Sequence, residues 1–203
     1  MAARSNACSE ITRLWLEARH GCLVTEGVPV SVPGGNSDID LVATQAGLRT
    51  FDLPDGTPVG PRLIVETKDE HDFDPKGKDF GKWLLSDVEK IGASGFVPIG
   101  TQGMVKFSML REQHFVTAAT LFGGAEFDRL FVVHAIDPAM LSSVRADLLA
   151  RRILWITIDV VARDLLEWYR LHPKPTWLCN SLMGDLWHLL FGFCGADITP
   201  KTP

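Results

Sequence analysis

The chain has 203 residues, 46% of them hydrophobic and 22% charged, which fits one globular domain with a sizeable core and excludes a disordered segment. Its formal net charge of −5 argues against a protein that coats nucleic acid by charge alone, while leaving room for a local basic groove. No apolar run approaches the roughly 20 residues that span a bilayer, and the first residues lead into a polar helix pattern, so neither a membrane span nor a signal peptide is expected. Cys8, Cys22, Cys179 and Cys194 form no CxxC pair and no zinc-finger spacing, and are expected as reduced, mostly buried thiols of a cytoplasmic protein.

Residues 9–20 read as an amphipathic helix. Ser9 is placed as N-cap, Ile11, Leu14, Trp15, Ala18 and Cys22 form a buried stripe, and Gly21 terminates it. Residues 22–32 are rich in Val, Thr and Leu and read as β, broken by Gly27 and Pro29, before a turn signal at Pro33-Gly34-Gly35-Asn36. Asp38 to Ala43 and Arg62 to Lys68 read as strands, with a hairpin excursion between them around Pro54-Asp55-Gly56. A polar loop follows over 69–79. The stretch 79–91 is read as a helix with Phe80, Trp83, Leu84, Val88 and Ile91 on one face. Residues 93–110 suggest a small hairpin insertion and 111–122 a helix. Leu130 to Ile136 is an apolar strand with His134 as a satisfied core histidine. Pro138 to Arg151 is a helix with proline in its first turn, Ile153 to Ile158 a strand, and Val160 to Leu171 a helix. An aromatic segment from Trp177 to Phe193 closes the chain. Helices interleaved with buried strands imply an α/β fold, a mixed sheet covered on both faces. The expected organisation is one domain over 1–172 with a C-terminal helical extension over 173–203.

Chemistry concentrates on two of these strands. In Asn36-Ser37-Asp38-Ile39-Asp40-Leu41, alternation puts Asp38 and Asp40 on one face and Ile39 and Leu41 on the other. Two like charges on an apolar strand repel, and a hard cation that prefers oxygen ligands would neutralise them. In Leu63-Ile64-Val65-Glu66-Thr67-Lys68, Glu66 and Lys68 share a face about 6.5–7 Å apart along the strand. Glu66 could join Asp40 on a metal, with Lys68 orienting or deprotonating a water or holding a phosphate.

Asp40 within Ser-Asp-Ile-Asp-Leu-Val-Ala, followed after a loop by Glu66-Thr67-Lys68, resembles the PD-(D/E)XK nuclease superfamily of restriction endonucleases and Holliday-junction resolvases. The resemblance covers roughly residues 8–135. It implies a restriction-endonuclease-like αβββαβ core and Mg²⁺- or Mn²⁺-dependent endonuclease cleavage of DNA. It assigns Asp40 and Glu66 to the metal, with Asp38 auxiliary, and Lys68 to the nucleophile. Glu10 on the first helix is the counterpart of the family's helix glutamate, with Glu17, seven residues on, second. The proline of the family's name is absent before the Asp, and the later helix motif is unplaced, with Lys82 and Gln113 the candidates. Lys76, Lys78 and Lys82 are candidates for substrate phosphates. His71 is a lesser candidate base, while His20, His114, His172 and His188 show no ligand spacing. Double-strand cleavage commonly needs two sites, which suggests a homodimer.

Two other functions compete. Gly-Gly-Asn-Ser-Asp-Ile-Asp-Leu also resembles the DNA polymerase beta-like nucleotidyltransferases, with Asp38, Asp40 and Glu66 as the acidic triad. That family's upstream Gly-Ser pair is missing, since Gly27 is followed by Val28. The other is a non-catalytic binding or assembly module on a nuclease-like fold.

Overall fold

The computed structural model describes residues 7–33, 35–68, 78–101, 105–134, 142 and 145–171, with side chains from 83 onward in the segment that starts at 78. Helix α1 (Ala7–His20) leads into strands β1 (Cys22–Val32) and β2 (Gly35–Gln45). A two-stranded excursion, β3 (Phe51–Asp52) and β4 (Pro58–Val59), precedes β5 (Arg62–Lys68). Then come α2 (Lys78–Glu89), a 3-10 turn at Ser108–Leu110, α3 (Glu112–Leu121), β6 (Asp128–Val133), α4 (Arg145–Ala150), β7 (Ile153–Thr157) and α5 (Ile158–Leu171). Five strands form one mixed sheet in the order β1-β2-β5-β6-β7. β1, β2 and β5 are antiparallel neighbours, whereas β5, β6 and β7 run parallel. The chain is thus an α/β protein with a mixed five-stranded sheet flanked by helices. Among the described residues no helix is long and apolar enough to cross a membrane.

The alternation along β5 distributes the core. Leu63 and Val65 face α1 and α5, packing with Leu41, Leu130 and Val132 against Leu14, Trp15, Leu16 and Leu165. Ile64 points to the opposite face, where Leu84 and Val88 of α2, Ala118 of α3 and Leu148 of α4 cover Phe131 and Val133. With both faces buried, β5 and β6 are near-continuous apolar runs, as parallel strands require.

Gly21 ends α1 as its position suggests: at φ +65° it donates its N–H to the Glu17 carbonyl. Ser9 is not the N-cap. It lies inside the first turn of α1 and is buried, because the helix already runs at Ala7. Cys8 and Cys22 are free, buried thiols, and burial pushes the Cys22 thiol up to about 12. Cys179 and Cys194 lie outside the described residues.

Strict alternation fails in β2. The β1–β2 ladder pairs Glu26 with Leu41 and Val28 with Ile39, skipping Gly27 and Asp40 between them. Gly27 sits at φ +59°, a backbone state open to glycine at little cost. Beyond this break Ile39 joins the α2–α3 side of the core, while Leu41 and Ala43 stay on the α1 side. The expectation that Ile39 and Leu41 share a face is therefore corrected.

Two further expectations change. The described part of 93–110 holds no hairpin. It is irregular chain with one bridge, Val97 to Arg111, anchored by the buried Phe107, Met109 and Leu110. Its N–H groups at 106–109 go to side-chain carboxylates instead of a partner strand. His134 is exposed rather than buried, because β6 stops at Val133. The extension expected over 173–203, most of the loop at 69–79 with His71 and Lys76, and the first part of the helix expected from Pro138 lie outside the described residues.

Candidate functional site

Asp40 stands at the gap in the β1–β2 ladder and one step beyond the end of the β2–β5 ladder. The β2–β5 ladder runs from Thr44–Arg62 to Leu41–Val65 and stops, although both strands continue. Asp40 takes over one step further on: its Oδ2 accepts the Thr67 N–H at 2.6 Å and the Thr67 hydroxyl at 3.1 Å. The carboxylate thus satisfies a backbone donor that the ladder has released. Asp40 Oδ1 accepts no hydrogen bond from a described residue.

Glu66 occupies the facing position on β5 and is 3% exposed. Its Oε1 accepts from the Ser108 N–H and hydroxyl, each at 3.2 Å, and lies 2.7 Å from Lys68 Nζ. Its Oε2 accepts the Met109 N–H at 2.8 Å. The shared face read for Glu66 and Lys68 is thereby realised as an ion pair. Asp87 of α2 supports the same loop, accepting the Lys106 and Phe107 N–H groups at 2.8 and 2.9 Å and pairing with Lys90. Four successive N–H groups thus end on two buried carboxylates.

Burial, and then the charge of Glu66, raise Asp40 from 3.8 to about 6, against the pull of the Thr67 hydrogen bonds and of Lys68. A carboxylate whose ionisation is opposed by burial and by a neighbouring carboxylate is a group whose charge a nearby cation would stabilise. Mg²⁺ commonly uses one or two carboxylates and keeps several waters. Asp40 Oδ1, with no donor among the described residues, and Glu66 are oxygen donors of that class, so the residues present fit such an ion. Among the described residues no three His, Cys, Asp or Glu side chains gather into a metal-binding group.

The other candidates fall elsewhere. Glu10 pairs with Arg13 at 2.9 Å, and Arg13 lies 2.9 Å from Glu26 of β1. Glu17 shares this cluster, raised by burial and by Glu26 and Glu10 while Arg13 lowers it. The charges that act on Asp40 are Glu66 and Lys68, not these helix glutamates. Asp38 gives its main-chain carbonyl to His114, and its side chain is half-buried without a hydrogen bond to a described residue. Lys76 and the side chains of Lys78 and Lys82 lie outside the described residues. Gln113 is half-buried on α3.

Four residues carry parts of this arrangement that the sequence did not single out. Thr67 was a spacer between Glu66 and Lys68; its signal was a hydroxyl on the face that alternation turns away from them. Ser108 and Asp87 reach the site across long separations, and no local pattern announces them. His114, 1% exposed on α3, sets its Nε2 3.0 Å from the Ser37 hydroxyl and 3.2 Å from the Asp38 carbonyl, while its Nδ1 is buried without a partner. Burial lowers its pKa, against Glu66 and the Asp38 hydrogen bond. It ties α3 to the strand that carries Asp40.

Comparison with models of known protein families, with curated proteins and with solved structures finds no match to this chain.

Proposed function

We propose that the chain is a divalent-metal-dependent DNA endonuclease with a restriction-endonuclease-like core, acting through Asp40, Glu66 and Lys68. The observation that carries the reading is the meeting of Asp40 and Glu66 from adjacent strands where the ladder opens, with Lys68 2.7 Å from Glu66. The order helix, three-stranded antiparallel meander, two helices, parallel strand supports it, with one helix more than the αβββαβ order that the sequence resemblance implies. A nucleotidyltransferase would need Asp38 beside Asp40 and Glu66, and Asp38 is not among the charges that act on Asp40.

Each residue's part follows from its surroundings. Thr67 fixes Asp40 through Oδ2 and leaves Oδ1 for a ligand. The Ser108–Met109 loop fixes Glu66. Lys68, side chain 18% exposed, holds an ammonium at the edge of the site, where it can meet a phosphate oxygen or hold a water in line. Mg²⁺ or Mn²⁺, held by Asp40 and Glu66, would supply Lewis acidity and charge neutralisation to the phosphodiester.

Supercoiled plasmid and branched DNA duplexes incubated with the full chain and Mg²⁺ or Mn²⁺ test the proposal. Cleavage is expected, its loss on adding EDTA, and a fall of at least about 10³-fold in Asp40→Ala and in Lys68→Ala with an unchanged circular dichroism spectrum. Retained cleavage in both folded variants would overturn it.

A further inference from the structure

The opposite end of β5 and β6 holds a second charge cluster, which the nuclease reading does not use. Arg129, the second residue of β6, is 2% exposed. It donates Nη1 to the Gly95 carbonyl and Nη2 to the Arg151 carbonyl at 2.8 Å, and its Cζ lies 5.5 Å from the ring centre of Phe115. Gly95, at φ +83°, adopts the left-handed turn that presents this carbonyl. Arg151 in turn donates to the Gly92 carbonyl at 2.8 Å. Neither guanidinium pairs with a carboxylate among the described residues. The acids nearby, Asp128 and Glu126, are both bound by Arg152.

Burial, and then the charge of Arg151, bring Arg129 down to about 10, with Asp128 acting the other way. Carbonyl dipoles and a ring face offset a buried cation only in part. Beside the two arginines lies a cavity of about 420 Å³, within the range of small-molecule sites. Ser94, Phe115, Ala119 and Phe127 share its walls with them, as do Arg152 and Glu126, which pair with each other, so the two arginines lie beside both apolar and polar surface.

We propose that this cavity binds a phosphate-bearing small molecule of mononucleotide size, its phosphate answered by Arg129 and Arg151 and its organic part packed against Phe115, Ala119 and Phe127. Two guanidiniums that pair with no carboxylate among the described residues match the two negative charges of a phosphate monoester better than the single charge of a phosphodiester, which favours a free ligand over a nucleic-acid strand. The planar fork of arginine suits phosphate oxygens in particular. The site shares no residue with Asp40 and Glu66 and stands whether or not the chain is a nuclease.

Thermal unfolding and titration calorimetry of the full chain in EDTA, so that no result depends on a metal, provide the test. The probes are AMP, inorganic phosphate, adenosine and KCl at matched ionic strength. AMP at tenfold excess over its Kd is expected to raise Tm by roughly 3–6 °C, inorganic phosphate by less, and adenosine and KCl not at all. Arg151→Gln is expected to weaken AMP at least tenfold. Ala119→Trp, which fills the cavity from the helix surface, is expected to abolish binding without relying on a change of charge. No shift with AMP, an equal shift with adenosine, or unchanged AMP affinity in a folded Arg151→Gln or Ala119→Trp variant would overturn the proposal.

Discussion

At the Glu66 end of β5 and β6 a buried carboxylate is seated on backbone N–H groups, whereas at the Arg129 end a buried guanidinium is seated on backbone carbonyls, next to the Asp128 carboxylate that the Gly60 N–H and Arg152 hold. The first end binds its loop tightly and sets two like charges against each other. The second sets two cations that pair with no carboxylate among the described residues beside a cavity. Each end thus holds a buried charge through main-chain groups rather than through the opposite charge alone.

The largest effect is expected where N–H groups would be orphaned. Glu66→Ala frees the Ser108 and Met109 N–H groups and removes the carboxylate that Lys68 faces, so urea unfolding should report a loss of about 4 kcal/mol. A loss under about 1 kcal/mol would mean that Glu66 does not hold the loop.

Asp40 is expected to act in the opposite direction. Its folded pKa of about 6 lies above its ordinary 3.8, so between those values the folded chain keeps a proton that the unfolded chain releases. Stability from this group is therefore full below about 4, falls as pH rises to about 6, and is flat above. The whole difference is about 3 kcal/mol. Asp40→Asn, which can still accept the Thr67 N–H, should stabilise the metal-free protein by up to about that amount at pH 8 and flatten its stability profile between pH 4 and 6. Stability that is unchanged at pH 8 would show that Asp40 is not under electrostatic strain.

The smallest effect is expected at the arginine end. Arg129→Met keeps most of the side-chain volume and leaves two carbonyls short of a donor, a lesser fault than an orphaned N–H. A loss of about 2 kcal/mol is expected by the same urea titration. A loss equal to that of Glu66→Ala would erase the contrast between the two ends.

Much of the frame was legible because local chemistry decided it. The apolar run from Arg62 to Lys68 marks β5 to the residue, and Gly21 marks the end of α1. Glu66 and Lys68 were readable as a pair because their strand keeps its period of two. Asp38 and Asp40 were not, because the break at Gly27 and Asp40 lies in the pairing with a neighbour and not in the spacing of one strand. The donors that fix Glu66 arrive from Ser108 and Met109, across 42 and 43 residues, with no periodic pattern in their own segment. His114 was unreadable for the same reason: its partners at Ser37 and Asp38 are 77 and 76 residues away.

The break at Gly27 also bears on how the chain meets copies of itself. β1 has eleven residues and, among the described residues, only β2 as a hydrogen-bonded neighbour, which makes it an edge strand with main-chain groups on its outer side. Gly27 turns the backbone out of its pleat, Pro29 has no N–H to donate, and the exposed Glu26 adds a charge just before them. The irregularity that sets Asp40 apart from its strand therefore also makes the sheet's long border a poor template for aggregation.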